Sequence, residues 1–461
     1  MICSKNDILS ILSSARRLAD QSKYTNNLLI TNIKNSLQKQ LILRTNEAWF
    51  RITLFLVSIF FLIFPNQEGF SKEILVKPGT RVNTIQQALT LAQDGDIIKL
   101  SKATYPVVDL IINKSISLVG IDYPVLDGQK KSNLLIVKAP NVSIRGLILK
   151  NSGLSNIKDK AGIRVENADH IQIIDNRLVN TCFGIYLAKV NGGIIQGNEV
   201  TGTNSVVQSG NGIHLWYSNH ILIFNNRVSG QRDGIYFEFA THCRISHNKC
   251  ESNHRYGLHF MFSNHDDYTF NTFRNNGCGV AVMYTKFINM SHNRFEHNWG
   301  SASYGLLLKD ISKSSISDNV FSTNTSGIYM EGTSEIKAER NQFINNGLAV
   351  RMLANCEKNT FLMNNFLGNT FDFTTNGTEN LNLLKGNFWD KYSGYDLNRD
   401  RKGDIPYRPV SLYSQIIERL PSAVFLLRSF MAELLDEVER ALPSLAYQNL
   451  TDPEPSMHII R

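Results

Sequence analysis

His259, Met261 and Met283 are the residues of this 461-residue chain whose types and spacing point most directly to chemistry. One imidazole and two thioethers make a soft donor set, of the kind that favours Cu(I) over harder cations. All three stand at fixed offsets from recurring glycines: His259 two residues after Gly257, Met261 and Met283 four after Gly257 and Gly279. His214, two residues after Gly212, falls in the same column as His259 and joins the candidate set. Whether these side chains meet depends on what the glycines build.

Eight glycines, Gly162, Gly184, Gly212, Gly234, Gly257, Gly279, Gly305 and Gly327, recur at spacings of 22, 28, 22, 23, 22, 26 and 22. Each is followed 14 residues later by an asparagine, from Asn176 through Asn198, Asn226, Asn248, Asn271, Asn293 and Asn319 to Asn341. A fixed offset inside a variable period marks one supersecondary unit stacked many times, with length changes confined to loops. Segments such as 305–308 and 315–317 are short, β-type and without a helical period. Ile163 and Val165, Ile185 and Leu187, and Ile213 and Leu215 alternate as an inward row, and stacked parallel rows form a continuous apolar core. The asparagines are expected at turns, where they tolerate left-handed backbone and can bond from coil to coil. The glycines are expected at corners with no room for a Cβ.

This pattern resembles an all-β, right-handed parallel β-helix with coils like those of pectin-lyase-like and carbohydrate-processing proteins. The register is strict over 162–348 and looser from Ala349 to Thr370. Residues 82–89 read as a capped amphipathic helix plugging the first coil, which hides an open β edge. Some eleven to thirteen coils would make a rod roughly 50 to 60 Å long.

Counting two and four residues from each glycine yields two outward columns. The first holds Arg164, Tyr186, His214, Tyr236, His259, Ala281, Leu307 and Tyr329; the second holds Glu166, Ala188, Trp216, Glu238, Met261, Met283, Lys309 and Glu331. Together they predict one exposed face rich in aromatics, histidines and methionines, an unusual load for a solvated surface. Three readings are open: a scattered surface, a glycan platform built on Tyr186, Trp216 and Tyr236, or a docking face for protein and metal that includes Glu238. Glycan lyases and epimerases on this scaffold need clustered carboxylates, and the coils show no stacked Asp rows; Asp266-Asp267 is an isolated pair. The remaining histidines of the coils, among them His220, His242 and His265, lack zinc-site spacing and read as surface residues.

A net charge of +8 is of the sign that nucleic acid attracts, yet residues 1–71 carry eight Lys/Arg against four Asp/Glu, so half the excess lies there. The remaining +4 is ordinary for a soluble domain, and no nucleic-acid partner is expected. Residues 52–64 form a short apolar run after Arg44 and Arg51, which suits an export signal or anchor better than a full span. An N-terminal extension and leader at 1–71 with a mature start at Lys72 is therefore expected. Five cysteines remain beyond the leader, with no CxxC, and read as core thiols.

After the coils, residues 387–396 read Asn-Phe-Trp-Asp-Lys-Tyr-Ser-Gly-Tyr-Asp and 397–409 read Leu-Asn-Arg-Asp-Arg-Lys-Gly-Asp-Ile-Pro-Tyr-Arg-Pro. This tail closely resembles the C-terminal signature of the NosD family, periplasmic β-helix proteins of nitrous oxide reductase maturation, and the resemblance spans 72–455. It implies a periplasmic, non-catalytic accessory of an ABC transporter, working with its membrane permease and ATPase, a copper chaperone and nitrous oxide reductase in assembling the copper-sulfur centre, with Cu(I) held transiently. The alternative is a secreted β-helix that binds or modifies glycans. In the family the tail often reads like a calcium loop; here Asp396, Asn398, Asp400 and Asp404 keep oxygen ligands, but Arg401 stands where the turn glycine belongs. A structural turn built on Trp389, Asp396, Asp400 and Asp404 is expected instead. The domains are then a leader (1–71), the β-helix (72–385), a closing loop (386–409) and an amphipathic helical tail (410–461), which the resemblance docks onto the permease.

Overall fold

Coil after coil, three short strands lie parallel on the three before them. The computed structural model describes residues 71–460 except 156–157, 204–208, 378–380, 421–429 and 442–449; the leader's apolar run at 52–64 lies outside the described residues. One sheet has fourteen strands, from Glu73–Val76 to Leu381–Lys385; a second has twelve, from Leu110–Ile112 to Phe371–Thr374; a third has thirteen, from Thr104–Pro106 to Phe388–Trp389. The inward row runs in register from Ile163 through Ile185, Ile213, Ile235, Leu258, Val280, Leu306 and Ile328 to Val350. At about 4.8 Å per coil, fourteen strands span about 60 Å. This is a right-handed parallel β-helix.

The glycines open the strands of the twelve-stranded sheet, and a close approach requires them. A Cβ on Gly257 would sit 2.6 Å from the Gly279 carbonyl oxygen, and one on Gly279 would sit 2.3 Å from that of Gly305. None of the eight adopts positive φ.

The asparagines form the expected ladder. Asn248 Oδ1 accepts the backbone N–H of Asn226 at 2.9 Å and its Nδ2–H at 3.0 Å, while Asn248 Nδ2 donates to the Ile223 carbonyl at 2.8 Å. The same pattern carries through Asn341 to Asn364 and Asn387, beyond the strict register. The left-handed corner, however, is taken by the residue before each ladder asparagine, including Asn225, His247, Phe270, His292 and Arg340. The ladder residue itself must aim its amide along the stack, so the turn falls to its neighbour. A second ladder, Gln231, Asn253, Asn276, Asn298, Asn324, Asn346 and Asn369, runs parallel to the first. Inside, Phe273, Phe295, Phe321, Phe343, Phe366 and Trp389 stack ring on ring, with centroids 4.1 to 5.6 Å apart.

Each end is closed by a different device. At the start, the helix Ile85–Leu91 has a capping box between Thr84 and Gln87 and buries Ile85, Ala88 and Leu89. At the finish, Asp452 terminates the ladder: Oδ2 accepts Asn387 N at 2.8 Å, Asn387 Nδ2 at 2.9 Å and Trp389 Nε1 at 3.1 Å, and Oδ1 accepts Gly386 N at 3.0 Å. The tail is therefore not wholly helical. Helices occupy Leu412–Arg419 and Phe430–Ala441, but the segment from Leu450 returns to the coils, bridging Phe388 through Ser456 and bonding Asn365 through Ile460. The last coil has donors that need acceptors, and this segment supplies them.

In the closing loop, Asp396 accepts the N–H groups of Asp400 at 3.1 Å and Arg401 at 2.8 Å, and Asp404 accepts that of Leu397 at 2.7 Å. Arg401 itself adopts the left-handed φ of 69° that a glycine would take. The tail holds this loop through Lys402 Nζ on Glu454 at 2.6 Å and Gly403 N on the Pro455 carbonyl at 2.8 Å.

Two isosteric exchanges test the polarity of the ladder. Asn248→Asp removes the donor to Ile223, and Asp452→Asn turns an N–H group toward donors. Each should cost about 1–3 kcal/mol, read as a lowered midpoint in chemical denaturation. Unchanged midpoints would show that the ladder is not the stack's polar spine.

Candidate metal centre and docking face

The outward residues of the twelve-stranded sheet stand where the counting places them, Tyr186, His214, Tyr236, His259 and Ala281 on consecutive coils. They do not form an exposed face. Tyr186, His214, Tyr236 and His259 are 6%, 7%, 9% and 5% exposed. Rings one coil apart close over one another, with centroids 4.6 Å (Tyr186–His214), 4.8 Å (His214–Tyr236) and 4.9 Å (Tyr236–His259) apart. The row preceding the glycines closes the flank, Phe183 lying 5.6 Å from His214 and Tyr256 4.8 Å from His259. Burial pushes the Tyr186 and Tyr236 phenols up to about 12. Rings so covered have no free face for a sugar, which removes two of the three members of the glycan platform. Trp216 and Glu238 are half-buried in the next column, with Trp216 edge-on to Tyr217 at 4.9 Å.

Towards its later coils the face is covered by the first C-terminal helix. Arg351, next in the column after Tyr329, makes a bidentate ion pair with Glu418 at 2.6 and 3.0 Å, and Phe371 packs on Tyr413 at 5.8 Å.

His214 and His259 are separated by the Tyr236 ring. Two coils amount to about 10 Å, far beyond what one ion with bonds of about 2–2.3 Å can bridge. His214 has its own partner, Asn211 Nδ2 donating to Nδ1 at 3.2 Å, and burial near Arg232 lowers it to about 3, so it stays neutral.

His259 is different. Both its ring nitrogens are buried without a hydrogen-bond partner, a state that costs free energy unless something else occupies them. Met261 follows two residues later on the same side of the strand, and Met283 is its register neighbour one coil on. The Tyr236 hydroxyl donates to Met261 Sδ at 3.6 Å, leaving the thioether a further lone pair. The Met column is flanked by Glu238 before and Lys309 after, the lysine held by Glu331 at 3.0 Å. Imidazole and paired thioethers fit a soft monovalent cation such as Cu(I). Among the described residues no three or more His, Cys, Asp or Glu side chains converge as a harder metal would require.

Three features escaped the sequence reading. Asp233, immediately before Gly234, is fully buried, accepts Arg255 Nε at 2.8 Å and approaches His259 Nδ1 to 3.7 Å. Counting one residue back from each glycine would have found it. The exposed histidines are not scattered: His220, His242 and His265 stack at 5.2 Å spacings and continue to Phe287 at 4.7 Å. Beside them Tyr217, Phe239, Phe262 and Tyr284 stack at 4.6 to 5.2 Å. The five cysteines beyond the leader are buried and none forms a disulfide among the described residues, as expected.

The class that this architecture defines is the parallel β-helix, and solved structures agree on the fold. The A-module of the Azotobacter vinelandii mannuronan C-5 epimerase AlgE6 superposes with a TM-score of 0.56 at 14% identity, over 65% of this chain and 92% of its own. PfbA, a surface adhesin of Streptococcus pneumoniae, does so with a TM-score of 0.53 at 11% identity, over 63% and 86%. Sequence is more specific. The family described as "Periplasmic copper-binding protein (NosD)" matches residues 196–394. The "Probable ABC transporter binding protein NosD" of Pseudomonas aeruginosa is 30% identical over 72% of this chain and 82% of its own length, and that of Stutzerimonas stutzeri 29% identical over 73% and 81%. The chain belongs to the NosD family.

One buried acid outside the candidate centre gives a test of its surroundings. Asp266 Oδ1 accepts Cys243 N at 2.7 Å, Oδ2 has no partner, and burial raises the acid to about 8. Because the folded state holds this proton more tightly than the unfolded chain, its share of stability is present below the ordinary value near 3.8 and is lost as pH rises through about 8. Asp266→Asn should flatten that dependence and raise the melting temperature above pH 8; an unchanged pH profile would contradict the assignment.

Proposed function

We infer that this chain is a non-catalytic periplasmic accessory of an ABC transporter, which receives Cu(I) and presents it for assembly of the copper-sulfur centre of nitrous oxide reductase. The observation that carries the copper reading is His259, whose two ring nitrogens are buried without a hydrogen-bond partner two residues before Met261, the register neighbour of Met283. His259, Met261 and Met283 would hold the ion. Thioether and imidazole donors stabilise Cu(I) without taking part in its redox chemistry, which suits a carrier that must also let go. Glu238 adds negative charge beside Met261, and half-buried Trp216 marks the adjacent edge where a copper chaperone and the reductase would dock. His214, two coils away, belongs to the packing of this face.

The transporter permease is assigned to the C-terminal helices. Ile416, Leu420, Phe430 and Leu434 are exposed apolar side chains on or beside them, at 38%, 57%, 76% and 42%. Among the described residues no helix is long and apolar enough to cross a membrane, so attachment through a partner suits these faces. ATP hydrolysis belongs to that partner, since the chain has no phosphate-binding GxxxxGK[ST] loop.

Cu(I) titration against a competing chelator compares the native chain with a His259→Ala/Met261→Ala/Met283→Ala variant. The variant should bind at least about tenfold more weakly, a loss of about 1.4 kcal/mol or more; equal binding would remove these ligands. For docking, Ile416→Glu with Phe430→Glu should abolish co-purification with the permease while leaving the melting temperature unchanged. Retained association would place the interface elsewhere.

A further inference from the structure

We propose that Asp233 is the positioning residue of the copper centre: its carboxylate holds the Nδ1–H of His259, so that Nε2 is presented as the ligand atom, and Arg255 locks the carboxylate in place. This inference rests on the copper reading above and adds to it a group that touches no ion.

Asp233 lies on the coil before His259, in the row that precedes the glycines, and is 0% exposed. A guanidinium fork fixes it, with Arg255 Nε on Oδ1 at 2.8 Å and the second Arg255 nitrogen on Oδ2. The acid therefore cannot swing toward solvent. Its Oδ2 is 3.7 Å from His259 Nδ1, just outside hydrogen-bonding distance, and a small rotation of the imidazole closes the gap. Tyr236 and Tyr256, at 4.9 and 4.8 Å, hold the ring between them, so the rotation available is small and directed. With the proton on Nδ1 facing a carboxylate, Nε2 carries the lone pair and has no donor to satisfy it. That is the arrangement in which ligating histidines are ordinarily found, their second nitrogen donating to a carboxylate that sets tautomer and basicity.

Charge supports the same assignment. Arg255 is held on the same carboxylate that His259 approaches, and by itself would repel a cation there. Asp233 cancels it across a direct ion pair, which leaves Glu238, one coil before Met261, to attract the incoming ion. An ion pair between a buried aspartate and a part-exposed arginine is weak reason for stability on its own account, because desolvating the carboxylate offsets much of the attraction. Orientation of His259 gives this pair a use that packing does not.

The test is Cu(I) binding by Asp233→Asn, whose shape is conserved but whose charge is lost. Affinity should fall about 10- to 100-fold, and X-ray absorption of the bound copper should lose its nitrogen contribution while keeping sulfur. Asp233→Glu should restore part of both. Should Asp233→Asn fold poorly, Asp233→Asn/Arg255→Gln removes both charges together and keeps the test intact, with at least tenfold weaker binding expected. If a folded Asp233 variant binds with native affinity and spectrum while His259→Ala does not, Asp233 is structural and this inference falls while the copper reading stands. If His259→Ala also binds like the native chain, both fall.

Discussion

The whole molecule depends on coil-to-coil register, and the asparagine ladder is what holds that register. Each ladder amide accepts two N–H groups from the coil before and donates back to a carbonyl of that stack, so a coil displaced by one residue would strand three polar groups in a dry interior. Apolar rows alone resist a slip of one residue, which would turn them outward, but tolerate a slip of two, since isoleucine, leucine and phenylalanine are interchangeable in a continuous core. The amides are not. They convert a pile of short strands into a ruler with one mark per coil.

That ruler explains the outer face as well as the core. Residues at one offset from successive glycines must lie about 4.8 Å apart, a separation at which aromatic rings touch. Bulky side chains at such positions therefore bury themselves on the outside of the sheet, as Tyr186, His214, Tyr236 and His259 do. The result is a second, thinner apolar layer outside the β-helix proper. Within it a polar atom has few partners, which is why Asp233 with Arg255, and His259 with none, stand apart chemically. A binding centre in this layer would be built from buried groups opened at one edge by the methionines.

The ends show the cost of a repeat that must stop. A stack of parallel coils leaves an open edge at each terminus. The first coil is covered by the short helix Ile85–Leu91; the last is completed by a segment from the far end of the chain, with Asp452 accepting where an asparagine would clash. The two C-terminal helices lie between coils and closing segment and leave apolar side chains exposed. In this way the device that finishes the fold also presents the surface assigned to the permease.

The capped pattern at 82–89 announced the N-terminal helix and the tail at 387–409 the family, while glycine and asparagine spacing alone determined the parallel β-helix, the inward rows and the ladder. Local repetition suffices for these, because each coil meets only its neighbours. The same counting placed His259, Met261 and Met283 on adjacent coils, but the tail signature that singled out Trp389 did not show that it ends the inner aromatic stack instead of joining the Asp396–Asp404 turn. Counting could not reveal that the first outward column is buried from Tyr186 to His259, that Tyr236 stands between His214 and His259, or that Phe270 and Arg340 take the left-handed corners. Nor could it place Asp452, some 65 residues from Asn387, at the foot of the ladder. Burial and termination are decided by side-chain volume and by contacts distant in the chain, and only the tertiary structure brings those together.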